Sequence, residues 1–407
     1  MQEPGTGIDT IFKMLYIDIK IAAGMSPDIR DKTEPGRGAE GGIMKFICSR
    51  CQHQEDVRTH KEKCDCGGLW DLKYKVPGFS LDLIDRTSWS IFRYRSFMPL
   101  LDDSWRECTL GEGMTPVVNF DQDLLLKMDY YMPTLSFKDR GAAVLMSHCK
   151  AIGVTSVVQD SSGNAGNSIA AYSARLGIAC EIFVPEGTSP KKIDMIRAHG
   201  ADVDVVPGSR DHCAEVCRRK VTEEGRYYAN HVYNPYFYEG TKTYVYEIYE
   251  QLGRIPANIF VPLGNGTLFI GIVKALEEFI DSGILDRMPN VIAIQSENCA
   301  PFCEAVKAGQ KEPAVVSVKP TLAEGIAIGV PMRGEEILRY IYKYNITVIT
   351  APEDRIMEAR GRLAQKGIYC EHTTAANYAA YLQYCSRYGR TPDSIIPMCG
   401  AGLKSDH

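Results

Sequence analysis

The chain has 407 residues, of which 45% are hydrophobic and 24% are charged, and its formal net charge is −5 at pH 7. This length allows two domains and a smaller module, and the composition is that of an ordinary soluble globular protein. The negative charge argues against a nucleic acid as partner, and no apolar run reaches the roughly 18 residues of a membrane span. Fourteen cysteines are scattered without the spacing of a disulfide-rich domain, so we expect reduced thiols and a cytoplasmic protein.

Residues 1–43 differ in composition from the rest of the chain. Residues 11–23 are apolar enough for one short helix or strand, but they lack the basic start and the cleavage site of a secretory signal. Residues 35–42 are rich in glycine, as flexible linkers are. We therefore expect residues 1–43 to be a disordered extension that takes no part in the chemistry.

Two cysteine pairs follow, Cys48 with Cys51 and Cys64 with Cys66. Two such pairs separated by twelve residues fit a zinc ribbon, in which four thiolates form a tetrahedron around the metal. The second pair has one intervening residue where two are usual, so a relic ribbon without metal, or a histidine replacing one thiolate, is an alternative. We predict a zinc-ribbon-like module over residues 44–75 with a structural zinc ion, because four protein ligands leave no open position for a substrate.

The remaining chain alternates between short strands and helices. Strands are predicted at residues 124–128, 154–158, 179–184, 203–206, 259–263, 291–295, 346–350 and 394–398. Helices are predicted at residues 164–176, 190–198, 213–223, 268–279, 355–365 and 374–387. Strands that are apolar throughout are covered on both faces, so the alternation predicts an α/β fold with two open, mostly parallel twisted sheets. We expect a large domain of residues 76–145 and 245–407, and a small mobile domain of residues 146–244.

One lysine stands out after the strand predicted at residues 124–128. Lys138 lies in the run Pro-Thr-Leu-Ser-Phe-Lys-Asp-Arg-Gly at residues 133–141, where a loop becomes a helix. Most lysines are solvated surface residues, so a functional interpretation depends on what the surrounding loops supply.

A loop of small polar residues follows the strand predicted at residues 154–158. It consists of Ser161, Ser162, Gly163, Asn164 and Ala165, followed by a glycine. Small residues let backbone N–H groups converge at a helix start, which favours binding of an anion such as a substrate carboxylate. The alternative is an ordinary N-terminal cap, because serine and asparagine are favoured there.

Two further loops follow the strands predicted at residues 259–263 and 394–398. Gly264, Asn265, Gly266 and Thr267 form a glycine-rich loop before an apolar helix, which suits a phosphate group. The last loop contains Cys399 among small residues that would let a flat ring lie against the backbone. Either loop could instead be a simple turn, and neither signal is specific by itself.

Taken in order, these segments resemble the fold-type II pyridoxal-phosphate enzymes, which share the fold of the tryptophan synthase β-subunit, and most closely the threonine synthases. The lysine motif of that family is matched at residues 133–141, its Ser-Ser-Gly-Asn loop at 161–164 and its glycine loop at 264–267. A zinc-ribbon-like segment is also found in threonine synthases. The resemblance covers about residues 45–404.

The resemblance implies a role for each of these residues and a homodimer. Lys138 would form a Schiff base with pyridoxal phosphate and then act as the base at the substrate α-carbon. Phe137 would flank the cofactor ring, Asn164 would bind its phenolate oxygen and Cys399 would face its ring nitrogen. The cofactor phosphate would be held by Gly264, Asn265, Gly266 and Thr267. The substrate carboxylate would be held by Ser161, Ser162, Gly163, Asn164 and Ala165.

Three positions depart from the threonine synthase pattern. Phe237 occupies a position where an arginine usually binds the substrate phosphate, and Cys399 and Ala401 replace a threonine and a histidine. The resemblance implies conversion of O-phosphohomoserine and water to threonine and phosphate. The departures keep open a β-elimination or β-replacement on a serine-like, threonine-like or cysteine-like amino acid. A non-catalytic ligand-binding homologue is the least favoured interpretation.

Overall fold

Two parallel sheets and one small antiparallel sheet organise the fold. A computed structural model describes residues 44–404. The disordered extension expected at residues 1–43 lies outside the described residues. No helix among residues 44–404 is long and apolar enough to cross a membrane.

The antiparallel sheet forms the zinc-ribbon-like segment predicted from the cysteines. Its strands are β1 (Lys45–Cys48), β2 (Gln54–Asp56) and β3 (Trp70–Lys73), in the order β2-β1-β3. Along β1, buried residues alternate with half-buried ones, as expected for a strand with one face on the core. The rings of Phe46 and Trp70 stack with centroids 6.0 Å apart, so the ribbon packs through aromatic residues as well as through its cysteines.

The remaining elements include the predicted strands and helices, together with two strands and five helices that were not predicted. The strands are β4 (Val117–Asn119), β5 (Leu124–Lys127), β6 (Ser156–Gln159), β7 (Ala179–Pro185), β8 (Asp202–Val206), β9 (Tyr227–Tyr228), β10 (Asn258–Pro262), β11 (Asn290–Ser296), β12 (Thr347–Ala351) and β13 (Ser394–Pro397). The helices are α1 (Trp105–Cys108), α2 (Lys138–Ala151), α3 (Asn164–Leu176), α4 (Pro190–Ala198), α5 (Arg210–Glu224), α6 (Tyr236–Thr241), α7 (Thr243–Leu252), α8 (Thr267–Asp281), α9 (Pro301–Lys307), α10 (Gly334–Lys343), α11 (Ile356–Ala364) and α12 (His372–Tyr388).

The larger sheet has six strands in the order β12-β11-β10-β13-β5-β4. All neighbours are parallel except β4, which pairs antiparallel with β5 at one edge. The smaller sheet has four parallel strands in the order β8-β7-β6-β9. All four residues of β13 are buried, as expected for a strand that is covered on both faces. The predicted α/β fold with two open, mostly parallel sheets is therefore confirmed.

The strands of the smaller sheet all come from residues 156–228. This range falls within the small domain expected at residues 146–244, while the larger sheet uses only segments on either side of it. The exact domain boundaries and the mobility of the small domain stay a prediction.

Glycines let α6 pack closely against the helix that begins at Lys138. A Cβ atom on Gly240 of α6 would lie 1.9 Å from the backbone oxygen of Arg140, and one on Gly141 would lie 2.2 Å from the Phe237 ring. No side chain fits at either position without moving the two helices apart. This contact fixes the helix on which Lys138 stands.

Candidate active site

Four loops meet at the carboxyl ends of the parallel strands and enclose a cavity of about 250 Å³. They follow β5, β6, β10 and β13, as expected for ligand sites in open α/β sheets. Every catalytic, cofactor and substrate residue predicted from the sequence lines this cavity: Phe137, Lys138, Ser161, Ser162, Gly163, Asn164, Ala165, Gly264, Asn265, Gly266, Thr267 and Cys399. The geometry brings these residues together, and their individual roles stay predictions.

Lys138 is the first residue of α2, and its amine reaches into this cavity. Its Nζ donates a hydrogen bond of 2.7 Å to Oγ1 of Thr267, in the glycine loop. The Nζ atom also lies 4.7 Å from the centre of the Phe137 ring. Burial lowers the pKa of Lys138 to about 8, because an ammonium ion loses its hydration there. A lysine in this state supplies a neutral, nucleophilic amine near physiological pH.

Asp139, directly after Lys138, is held by buried hydrogen bonds. Its carboxylate accepts bonds from the Thr134 hydroxyl at 2.5 Å and from the Ser168 hydroxyl at 2.6 Å. The backbone N–H of Thr134 donates a third bond of 2.7 Å to the second carboxylate oxygen. Three donors on one carboxylate fix the loop before Lys138 against the start of α2.

Arg140 forms a buried ion-pair network next to the lysine. Its guanidinium donates to Asp129 at 2.8 Å and to Glu247 at 2.7 Å, and all three side chains are fully buried. Burial alone would raise the pKa of Glu247, but the charges of Arg140 and Lys127 outweigh it and hold this pKa at about 2. Glu247 is therefore charged at neutral pH, and the paired charges hold the start of α2 in one position.

The loop from Ser161 to Ala165 leads directly into α3. A Cβ atom on Gly166 would lie 1.9 Å from the backbone oxygen of Ser161, so only glycine allows this tight approach. The side-chain amide of Asn164 donates a hydrogen bond of 3.0 Å to the carboxylate of Glu371. The amides at the start of α3 remain available for an anion, which is the arrangement that a substrate carboxylate requires.

The glycine loop fits a phosphate group. Gly266 adopts a left-handed conformation with φ of 79°, and a Cβ atom there would lie 2.5 Å from the side chain of Ile337. Thr267 then begins α8, whose first amides and positive dipole end face the loop. The neighbouring Oδ1 of Asn265 is buried and has no hydrogen-bond partner among the described residues. The loop thus leaves room and polar groups for a ligand in the same cavity as Lys138.

Cys399 closes the cavity from the end of β13. Its thiol is buried, and burial raises its pKa well above the usual value, so the thiol is neutral. The backbone oxygen of Cys399 accepts a hydrogen bond of 2.9 Å from the Phe137 N–H, which ties this loop to the residue before Lys138. A neutral thiol fits beside an unprotonated ring nitrogen.

The sequence analysis missed several residues that share this cavity. These are Lys192, Arg210, His231, Glu324, Glu371, Thr373 and Lys404, among others. Glu371 could have been found, because it lies just before the helix predicted at residues 374–387. Arg210 and His231 carry no local signal, since only the tertiary fold brings them to the lysine loop.

A second, larger cavity of about 810 Å³ adjoins the first. The two cavities share Arg210, His231, Asn265 and Ile328 as lining residues. The larger one is bounded by the ribbon, by α5 and by the loops on either side of residue 320. It therefore forms the approach to the side of the active-site cavity where Arg210 and His231 lie.

The four cysteines of the ribbon also meet. The sulfur atoms of Cys48, Cys51, Cys64 and Cys66 all lie within 4.8 Å of one another. Cys48 and Cys66 are 3.4 Å apart, and Cys51 and Cys64 are 3.6 Å apart. Zinc–sulfur bonds of about 2.3 Å in a tetrahedron place sulfurs about 3.8 Å apart, so the four thiols fit such an ion.

Comparison with known proteins agrees with the fold and with the loops. Residues 108–400 match the family model described as pyridoxal-phosphate dependent enzyme, and the chain belongs to this family. A threonine synthase of Methanocaldococcus jannaschii is 32% identical over 347 residues, which cover 82% of this chain and 85% of the relative. A threonine synthase of Mycobacterium leprae is 31% identical over 325 residues, which cover 77% of this chain and 88% of the relative.

Solved structures give the same fold. A threonine deaminase from T.th. is 26% identical with a TM-score of 0.58, covering 68% of this chain and 87% of its own. A threonine deaminase isoform from Solanum lycopersicum is 22% identical with a TM-score of 0.65, and the match covers 80% of this chain and 86% of that chain. The chain is thus a fold-type II enzyme close to the threonine synthases, and its cofactor is pyridoxal phosphate.

Proposed function

We propose that the chain is a lyase of the threonine synthase type, which converts O-phosphohomoserine and water to threonine and phosphate. The observation that carries this proposal is the meeting of Lys138, the Ser161–Ala165 loop and the Gly264–Thr267 loop in one cavity. A nucleophilic amine and two anion-binding loops are what an amino acid and a phosphorylated aldehyde cofactor require. The similarity to relatives named threonine synthase supports the same reaction.

Each group in the cavity has a proposed task. When bound, pyridoxal phosphate withdraws electrons from the α-carbon of an attached amino acid, which makes the proton there acidic. The Lys138 amine holds the cofactor and moves this proton, because burial keeps the amine partly neutral. Asn164 would contact the phenolate oxygen of the ring, and the neutral Cys399 thiol would face the ring nitrogen. The backbone amides of the two anion loops hold the substrate carboxylate and the cofactor phosphate.

A second candidate is β-elimination or β-replacement on a serine-like, threonine-like or cysteine-like amino acid. The observation that favours it is Phe237, whose ring is fully buried and whose position carries no guanidinium for a substrate phosphate. The similarity to a threonine deaminase at 26% identity supports this alternative as well.

The test begins with purified protein loaded with pyridoxal phosphate and showing a visible absorbance band. It is then incubated with O-phosphohomoserine, serine, threonine and cysteine in separate reactions. Release of phosphate together with threonine from O-phosphohomoserine supports the first proposal. Release of ammonia and an oxo acid from the other amino acids, without phosphate release, supports the second candidate. A visible band without any turnover would support a non-catalytic homologue.

We also propose that the four ribbon cysteines bind one structural zinc ion. The support is the cluster of four sulfur atoms within 4.8 Å. The ion would stabilise the antiparallel sheet and would take no part in the reaction, because four thiolates complete its coordination.

A further inference from the structure

Arg210 and His231 lie on the boundary between the active-site cavity and the larger cavity, because each residue lines both cavities. Arg210 is the first residue of α5, a helix of 15 residues, and its side chain is exposed. Among residues 44–404 no carboxylate is within ion-pair distance of its guanidinium, in contrast to the fully buried and paired Arg140. A guanidinium that faces a cavity without a counter-charge is available for an anionic ligand.

His231 supplies a neutral hydrogen-bond donor at the same boundary. Its side chain is 7% exposed, and burial, together with the charges of Lys138 and Arg210, holds its pKa well below the usual value. Its Nδ1 lies 3.3 Å from the amide nitrogen of Gln159, which can only donate. In the tautomer with the proton on Nε2, Nδ1 accepts this bond. Nε2, which has no hydrogen-bond partner within the described part of the chain, is then free to donate.

The neighbouring helix cannot supply a cation in this region. Phe237 of α6 is fully buried, and its ring packs against Gly141 and lies 5.8 Å from the His231 ring. The Nζ atom of Lys138 lies 5.8 Å from the centroid of the same Phe237 ring. The side of Lys138 that faces α6 is thus apolar. The guanidinium that lines both cavities belongs instead to Arg210, at the start of α5.

The acidic residues of the larger cavity do not share this boundary. Asp160, Asp211 and Glu215 line the larger cavity but not the active-site cavity. Glu324 and Glu371 do line the active-site cavity, and they are bonded to Lys192 at 2.7 Å and to Asn164 at 3.0 Å. An anion that enters the active site thus meets the Arg210 guanidinium, which has no ion-pair partner within residues 44–404, and the neutral His231 imidazole.

We infer that the Arg210 guanidinium and the His231 Nε2–H bind an anionic group at the far end of the substrate side chain. The substrate class is an amino acid whose side chain ends in a phosphate ester. This inference rests on the proposed function, since it assumes that the amino end of the substrate lies at Lys138. A guanidinium can bind two phosphate oxygens at once, and the dipole of α5 adds to the attraction. Arg210 is then the specificity-determining residue that compensates for Phe237.

The test uses holoenzyme, because bound cofactor keeps the glycine loop filled. Inorganic phosphate is titrated into the parent protein, Arg210→Gln, Arg210→Lys and Arg219→Gln, with the visible absorbance and the intrinsic fluorescence recorded. Arg219 is the matched control, because it is an exposed arginine of the same helix that lines neither cavity. We expect Arg210→Gln to weaken phosphate binding about ten- to a hundredfold, as for loss of a charge-assisted hydrogen bond.

Steady-state kinetics with a phosphorylated substrate provides the second readout. Arg210→Gln should raise KM much more than it lowers kcat, Arg210→Lys should restore part of the binding, and Arg219→Gln should match the parent. Equal phosphate affinity in Arg210→Gln and the parent would overturn the inference, as would equal losses in Arg210→Gln and Arg219→Gln. Failure of the parent protein to form a visible band would instead refute the proposed function, so the two failures are distinguishable.

Discussion

Asn164 and Glu371 join the two parallel sheets at the active site through a hydrogen bond of 3.0 Å between amide and carboxylate. Asn164 begins α3 beside the four-stranded sheet, and Glu371 immediately precedes α12 beside the six-stranded sheet. Burial raises the pKa of Glu371, while the Asn164 amide lowers it by stabilising the carboxylate. Because the bond crosses from one sheet to the other, it links their relative position to the shape of the cofactor site.

Removing either partner of this bond should weaken cofactor binding. We expect Asn164→Ala and Glu371→Ala each to reduce the affinity for pyridoxal phosphate about tenfold or more, because bonds to charged groups contribute about 1.5–3 kcal/mol. The double variant should lose less cofactor-binding free energy than the two single variants lose together. Titration of the apoprotein with cofactor measures these affinities. Glu324→Ala is the control, since Glu324 lines the same cavity and bonds to Lys192; strictly additive losses would contradict the coupling.

The covalent role of Lys138 can be separated from simple cofactor binding. Lys138→Ala should lose the visible absorbance band, and borohydride should no longer fix the cofactor to the protein. Lys404 is the matched control, because it is a second buried lysine that lines the same cavity. Its Nζ donates a hydrogen bond of 2.5 Å to the backbone oxygen of Thr134. Lys404→Ala should keep the borohydride-stable adduct at residue 138, identified by mass spectrometry. An adduct that persists in Lys138→Ala would show that another amine carries the cofactor.

The low pKa of Lys138 predicts an unusual pH profile for its acylation. In apoprotein the Lys138 amine should become reactive as pH rises through about 8. The ordinary pKa of a lysine side chain is about 10.4. The sign follows from burial, which disfavours the ammonium form and so releases the proton at lower pH. Competitive labelling with an acylating reagent, read by peptide mass spectrometry, compares Lys138 with the exposed Lys311. Identical profiles for the two lysines would be inconsistent with this pKa.

The parallel sheets could be predicted because most of their strands leave a local signal. The strands β4 and β9, of three and two residues, were not predicted. The strands β7 and β10 begin within one residue of their predicted positions, and α3 and α4 coincide with theirs. Buried parallel strands are short apolar runs, and the helices between them keep a regular period. The loops that follow these strands lie in one cavity because the carboxyl ends of parallel strands are at the same edge of a sheet.

Contacts between distant segments could not be predicted from the sequence. Arg140 and Glu247 are 107 residues apart in the chain, yet they form a fully buried ion pair. The helices α6 and α7 are not among the predicted helices, and the first six residues of each are buried whether apolar or polar. Arg210 looks like an ordinary surface arginine in the sequence, and only its place at the boundary of two cavities distinguishes it.

Removal of Arg140 should be among the most destabilising substitutions in the chain. Arg140→Met leaves the buried Asp129 and Glu247 without their guanidinium, and breaking a buried pair in this way costs about 3–5 kcal/mol. Urea unfolding followed by circular dichroism measures the change. The control is Arg390→Gln, which removes an exposed pair with Asp123 and should change stability by about 1 kcal/mol or less. A small loss in Arg140→Met would mean that the two carboxylates take up protons or water instead.

The ribbon cysteines provide a prediction about metal content. Purified protein should contain about one zinc ion per chain, and Cys66→Ser should lose most of it, because three thiolates bind zinc less tightly than four. Loss of the ion should also change the fluorescence of Trp70, whose backbone pairs with Cys48 in the ribbon sheet. Cys385→Ser is the control, since Cys385 lies outside the cluster. Metal-free protein with four reactive ribbon thiols would show that this ribbon keeps its fold without zinc, through packing of Phe46 on Trp70.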